Sequence, residues 1–197
     1  MARKTSNANK ETDTPAVKLT LPQIKRELRE YDKDALISIL LDCYKMSGDV
    51  KDYLHILLKP EEAIAELHSK TRMVIENEFF PEKGEAKLRF AKARKAISTF
   101  RKLSGDERLT LDLMVFYAEL GAKFTNGYGD IDEPFYNSIE SMFESATKKI
   151  SGNEELFWAF KERLEEIVKL SEPVGWGFHD FIAGTYGDLE AEFIEAE

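Results

Sequence analysis

Two glycine-framed turns carry the residue types that acid–base or metal chemistry uses. The first reads Asn126-Gly127-Tyr128-Gly129-Asp130-Ile131-Asp132-Glu133-Pro134. Three carboxylates within four positions could hold a hard cation, and Asn126, Tyr128 and Asp130 have the spacing of the first ligands of a calcium loop. Ile131 stands where such a loop needs its turn-forming glycine, so the calcium pattern fails there. A commoner use of the same residues is structural: Asp132 or Glu133 caps the helix that Pro134 opens, with the acidic charge against its positive end. The second turn is Gly175-Trp176-Gly177-Phe178-His179-Asp180. A histidine, titrating near about pH 6.5 when unperturbed, is suited to proton transfer beside a carboxylate. Adjacent helical residues diverge by about 100°, so His179 and Asp180 form no dyad by adjacency alone, and Trp176 and Phe178 also read as core plugs after Pro173. If the two turns converge, Asn126, Tyr128, Asp130, Asp132, Trp176, His179 and Asp180 line one cleft.

Charge supplies a third feature. Between Lys83 and Lys102 eight basic residues accompany one acidic residue, Glu85, so this segment carries +7 in a chain of net charge −9. Lys87, Arg94 and Arg101 recur every seven residues, with Lys95 and Lys102 beside them, opposite Phe90, Ala93, Ile97 and Phe100. That is a basic ridge on an amphipathic helix, able to track phosphates or an acidic partner. An acidic chain repels nucleic acid at long range, and long basic stems also cover neighbouring helices and pair internally. Internal pairing is therefore the first expectation for the ridge, and nucleic acid or another polyanion the alternative.

Other signatures are absent. Neither G-x-x-x-x-G-K-[ST] nor G-x-S-x-G occurs, and the G-x-G fragments at Gly127/Gly129 and Gly175/Gly177 lack a third glycine. The three histidines, His55, His68 and His179, include no i, i+4 pair, and the one cysteine is no partner for them. No metal and no cofactor is expected, and the reading leans away from an enzyme.

The elements that must position these residues are helices. From Thr20 onward apolar residues fall at helical spacing and strand-type alternation is scarce. Stripes beginning at Leu21, Leu36, Val50, Ile64, Phe90, Leu109, Phe135, Leu156 and Phe178 predict an all-α fold of about nine helices. Short breaks make them antiparallel hairpins, packed as an irregular bundle or a short α–α superhelix. The fifth is expected over about 86–103, and the sixth, apolar on two faces, as the central buried helix. The second is apolar on nearly all sides, which places Cys43 in a core. A chain of 197 residues suits one domain, 19–197, with a possible sub-boundary near 81–85, after a polar, disordered tail, 1–18. No run of about 18 apolar residues occurs, so no membrane span is expected. A single cysteine suits a reducing compartment, and the cytoplasm is the expected location.

The runs TNGYGDIDEPFYNSIESMF, VGWGFHD and EFFPEKGEAKLRFAKARKAISTF resemble a family of uncharacterised bacterial proteins, domain of unknown function 6155, over most of the chain after Leu19. The resemblance implies a small cytoplasmic bacterial protein and carries no activity, cofactor or partner. The leading functional expectation is a helical scaffold or interaction domain that meets a protein partner or associates with itself. Polyanion binding through helix 83–102, and an unrecognised enzyme or ligand pocket built from the turns 126–133 and 175–180, are the alternatives.

Overall fold

Asp32, Ser47, Asp106, Asp132 and Asn153 each accept a hydrogen bond, of 2.7 to 3.4 Å, from the backbone N–H three residues on. Each satisfies a donor that a helix start leaves open, and each marks such a start. Asp132, rather than Glu133, is the cap before Pro134. The computed structural model describes residues 18–175 and 177–194. Residues 1–17 of the expected disordered tail, and Trp176, lie outside the described residues. Among the described residues are nine helices and no strand: α1 (Leu21–Leu28), α2 (Lys33–Met46), α3 (Gly48–Leu58), α4 (Pro60–Phe79), α5 (Phe90–Ser104), α6 (Glu107–Tyr128), α7 (Glu133–Ile150), α8 (Glu154–Ser171) and α9 (Phe178–Ile194). The all-α bundle read from the sequence is the fold.

The chain divides into two compact units, Met1–Met46 and Ser47–Glu197. In the second, α6 is the axis: 13 of its 22 residues are buried, and α4, α5, α7 and α8 all pack on it. Helix α9 lies along α7 and α8, and α3 flanks α4 and α5. Phe79, Phe100, Tyr117, Phe135, Phe143, Phe157 and Phe178 are fully enclosed between these helices. Gly121 marks the closest approach of α6 and α7, where a Cβ would run into the Ile139 side chain. A larger residue there would force the two helices apart.

Helix α5 begins at Phe90, four residues later than its apolar spacing suggests, because the end of α4 captures residues 87–89. The Glu78 carboxylate has no solvent exposure. It accepts from the Arg89 guanidinium at 2.8 and 2.9 Å, the Arg89 backbone N–H at 3.2 Å and Lys92 Nζ at 2.9 Å. The Glu78 carbonyl accepts from the N–H groups of Lys87 and Leu88. Leu88 adopts a left-handed conformation, φ 48°, which costs free energy for a non-glycine residue and is held by these bonds. Residues 81–85 thus belong to a turn inside the second unit.

The first unit contrasts with this. None of the residues of α1 or α2 is buried, and Cys43, expected in a core, is exposed. Helices of 8 and 14 residues cannot enclose a core between them, so apolar spacing alone misplaced it.

Because Glu78 closes the α4–α5 turn, Glu78→Gln should lower the unfolding free energy by about 3 kcal/mol, leaving Arg89 and Lys92 without their counter-charge. The Arg89 guanidinium, against the opposing effect of burial, holds the Glu78 carboxyl down at about 2, below its ordinary 4.5. A depressed carboxyl stabilises the fold above its unfolded value and loses that contribution as pH falls through its folded one. Urea denaturation should therefore show the wild-type advantage over Glu78→Gln intact at pH 6 and shrinking from about pH 4.5 towards pH 2. A gap that stays constant across that window contradicts this role.

Candidate functional site

The turn after α6 is built on the Tyr136 hydroxyl, which accepts from the Ile131 N–H at 3.2 Å and lies 3.0 Å from Thr125 Oγ1. Gly129, at φ 82°, ends α6, and Asp132 is spent on the cap of α7. Asp130 is exposed. Tyr128 is exposed as well and stacks on Phe124 at 4.5 Å between ring centroids. Asn126 reaches across to α8, where its amide donates to the Leu170 carbonyl at 3.0 Å. One residue further, buried Ser171 donates to the Val168 carbonyl at 2.6 Å and lies 2.9 Å from His179 Nδ1. Phe178, beside His179, packs on the Tyr136 ring at 5.1 Å. The two glycine-framed turns therefore lie at one end of the second unit, tied by Asn126 to α8 and by Tyr136 to α9.

This end has limited chemistry. The single hydroxyl proton of Ser171 is committed to Val168, so His179 Nδ1–H is the donor in the second bond. A fully buried serine without a free lone-pair approach is no nucleophile. Asp180 is exposed and makes no hydrogen bond or ion pair among the described residues. A cleft of about 480 Å³ opens beside α7, lined by Ile131, Asp132, Glu133, Tyr136, Asn137 and Glu140, and not by His179. Burial pushes the Glu140 carboxyl up from its ordinary value. Trp176 lies outside the described residues. Among the described residues no three His, Cys, Asp or Glu side chains gather closely enough to hold a metal ion.

The basic segment is used partly inward. Lys87, Lys95 and Lys102 are exposed, but Lys87 precedes the first turn of α5, so the seven-residue recurrence is not one helical stripe. Arg94 is half-buried and donates to the Ser138 carbonyl of α7 at 2.6 Å, beside the Tyr117–Ser138 hydroxyl pair. Its Nε is buried with no hydrogen-bond partner among the described residues. Arg101 pairs with Glu107 at 2.6 Å, and Glu107 also takes Lys149 at 2.6 Å.

Sequence reading missed a charged cluster that joins α4, α6 and α8. Asp112 accepts from Arg163 at 2.6 Å and Arg72 at 3.0 Å, and its Oδ2 lies 2.8 Å from His68 Nε2. The Arg163 guanidinium forks onto Glu119 at 2.6 and 3.0 Å, while that of Arg72 lies 3.7 Å over the Phe116 ring. Burial alone would raise the Asp112 carboxyl, yet Arg163 and Arg72 hold it below its ordinary value. Two arginines and two carboxylates cancel, and the Arg163 fork is filled, so the cluster clamps helices rather than presenting charge to a ligand. A signal was available: His68 and Arg72 at i, i+4 on α4, and Asp112, Phe116 and Glu119 at i, i+4, i+7 on α6, fall on single faces.

An unspent surface lies in the first unit. Leu21, Ile24, Leu28, Tyr31 and Leu36 line a shallow apolar groove of about 510 Å³ between α1 and the first turn of α2. Beyond it Ile37, Ile39, Leu40, Leu41 and Met46 are 38 to 86% exposed. Among the described residues of the first unit none is buried against this surface.

Residues 20–180 match the model of a family of unknown function (DUF6155), and the chain belongs to that family. No curated protein and no solved structure matches it. Among the described residues no helix is long and apolar enough to cross a membrane.

If the Asp112 cluster is a clamp, Asp112→Ala should lower the unfolding free energy by roughly 2 kcal/mol, since charged hydrogen bonds contribute about 1.5–3 kcal/mol and these are only part-buried. Urea denaturation measures it. A loss below about 0.5 kcal/mol, the level of an ordinary surface change, would show that the cluster holds nothing together.

Proposed function

We propose that this protein is a helical interaction module, cytoplasmic, whose association surface is the α1–α2 unit and whose partner offers an apolar helical face. The observation that carries the reading is that residues 18–46 include eleven large apolar side chains left about a third or more exposed and no buried residue. An exposed apolar patch of this extent marks a binding surface on a protein. A groove between two helices receives an amphipathic helix by its apolar face. The single cysteine supports a reducing setting. This reading outranks the two alternatives because part of each is already engaged: Arg94 and Arg101 of the basic segment bond within the fold, and Asp132 and His179 of the turns do the same.

Apolar contact is weakly affected by salt, whereas phosphate contact is not. Tagged full-length protein should retain one defined helical partner chain at both low and high salt, and the Ile37→Glu/Leu41→Glu variant should lose it while keeping the circular dichroism of the wild type. Equal retention by the variant, or retention that vanishes with salt, would contradict the reading.

A further inference from the structure

The α1–α2 groove carries charge of one sign along one edge. Its lining holds two ionisable side chains besides Tyr31, Lys25 and Arg29, and no carboxylate. They stand one helical turn apart on α1, because Arg29, just past the last residue of the helix, keeps a helical backbone at φ −70° and ψ −20°. At about 100° per residue Leu21, Ile24 and Leu28 form a stripe roughly 60° wide, and Lys25 and Arg29 border it on the side away from Glu27.

Neither cation is used within the fold. The side chains of Lys25 and Arg29 make no hydrogen bond or ion pair among the described residues. Charges close to them are engaged with one another or lie off the groove. Arg26 pairs with Glu27 at 3.0 Å, and the Asp32 carboxylate accepts from the Ala35 N–H at 2.7 Å to cap α2. Glu30 is exposed and does not line the groove.

An apolar floor with a cationic edge sets the chemistry of its occupant. The floor, Leu21, Ile24, Leu28, Tyr31 and Leu36, is 36 to 81% exposed and can be covered by apolar side chains at i, i+3 and i+7 of a helix. Four residues of helix rise about 6 Å, so the two cations meet two carboxylates set at i and i+4 along one edge of that helix. A basic helix in the same place would set like charges against each other. A lipid surface fits less well, because the groove opens between two helices and residues 47–197, with 19 basic and 30 acidic side chains, carry a net −11 that an anionic membrane repels.

We infer that the α1–α2 groove takes an acidic amphipathic helix of a partner protein, its apolar stripe on the Leu21, Ile24, Leu28, Tyr31 and Leu36 floor and a pair of carboxylates one turn apart against Lys25 and Arg29. This inference rests on the proposed interaction reading and adds the charge of the partner at that same surface.

Two synthetic peptides of about 18 residues, long enough to form a helix in water, serve as probes in fluorescence anisotropy with the full-length chain. Both carry the same leucine stripe; one has glutamates at i and i+4 along its edge, the other lysines at those two positions. The glutamate peptide should bind about tenfold tighter at low salt, from two exposed ion pairs gained and two like-charge contacts avoided. That preference should shrink at about 0.5 M salt while binding itself persists. Lys25→Gln/Arg29→Gln should remove the preference, Lys25→Glu/Arg29→Glu should reverse it, and Lys25→Arg/Arg29→Lys should keep it, each with the circular dichroism of the wild type. Equal binding of both peptides by the wild type overturns the acidic partner and leaves the interaction reading standing. A preference that survives in Lys25→Gln/Arg29→Gln overturns the placement on α1. A wild type that takes neither peptide overturns the inference together with the interaction reading, whether or not it sediments with phosphatidylserine vesicles.

Discussion

Apolar surface left in water costs about 25 cal/mol per Å², and the way each unit meets that constraint separates the two parts of this chain. In the second unit four helices, α4, α5, α7 and α8, pack on α6, and more than half of its residues are buried. Several of the polar groups drawn in with them are paired: Glu78 with Arg89 and Lys92, Asp112 with Arg163 and Arg72, Tyr117 with Ser138. Buried charge is tolerated only when compensated, so these pairs fix which helix ends and faces can meet. The first unit is the richer in leucine and isoleucine, with 9 in residues 18–46 against 24 in residues 47–197, but it has too few residues to enclose them. Among the described residues its apolar surface is left exposed.

Seen in this way, the charge of the molecule has a consistent distribution. The strongly basic segment around α5 is largely turned to internal use, with Arg89, Lys92, Arg94 and Arg101 each bonded to groups on other elements. The acidic excess falls on the second unit, while α1 and α2 are nearly balanced. An acidic excess of this kind keeps molecules dispersed.

Much of this was legible in the residues. Helix number and class followed from apolar spacing, the start of α7 from the acidic pair before Pro134, and the central place of α6 from its two apolar faces. The late start of α5 was not legible, because it depends on Glu78, a residue from another helix whose burial no local pattern announces. The Asp112 cluster escaped for a similar reason: its members are about 40 to 50 residues apart in sequence and meet only once α4, α6 and α8 are packed. Of the two glycine turns, the sequence supplied residue types but not their meeting at the end of α8, which Asn126 and Tyr136 bring about. Cys43 shows the converse limit. Periodicity reports that a helix face is apolar, and it cannot report whether the same chain covers it.

The central claim is that a partner's apolar helical face covers the α1–α2 surface, and hydrogen–deuterium exchange of the Leu36–Met46 amides with and without the retained partner chain tests it most directly. Exchange at these amides should slow when the partner is added, while the amides of α6 stay protected throughout. Exchange across Leu36–Met46 that is the same with and without the partner would contradict the account.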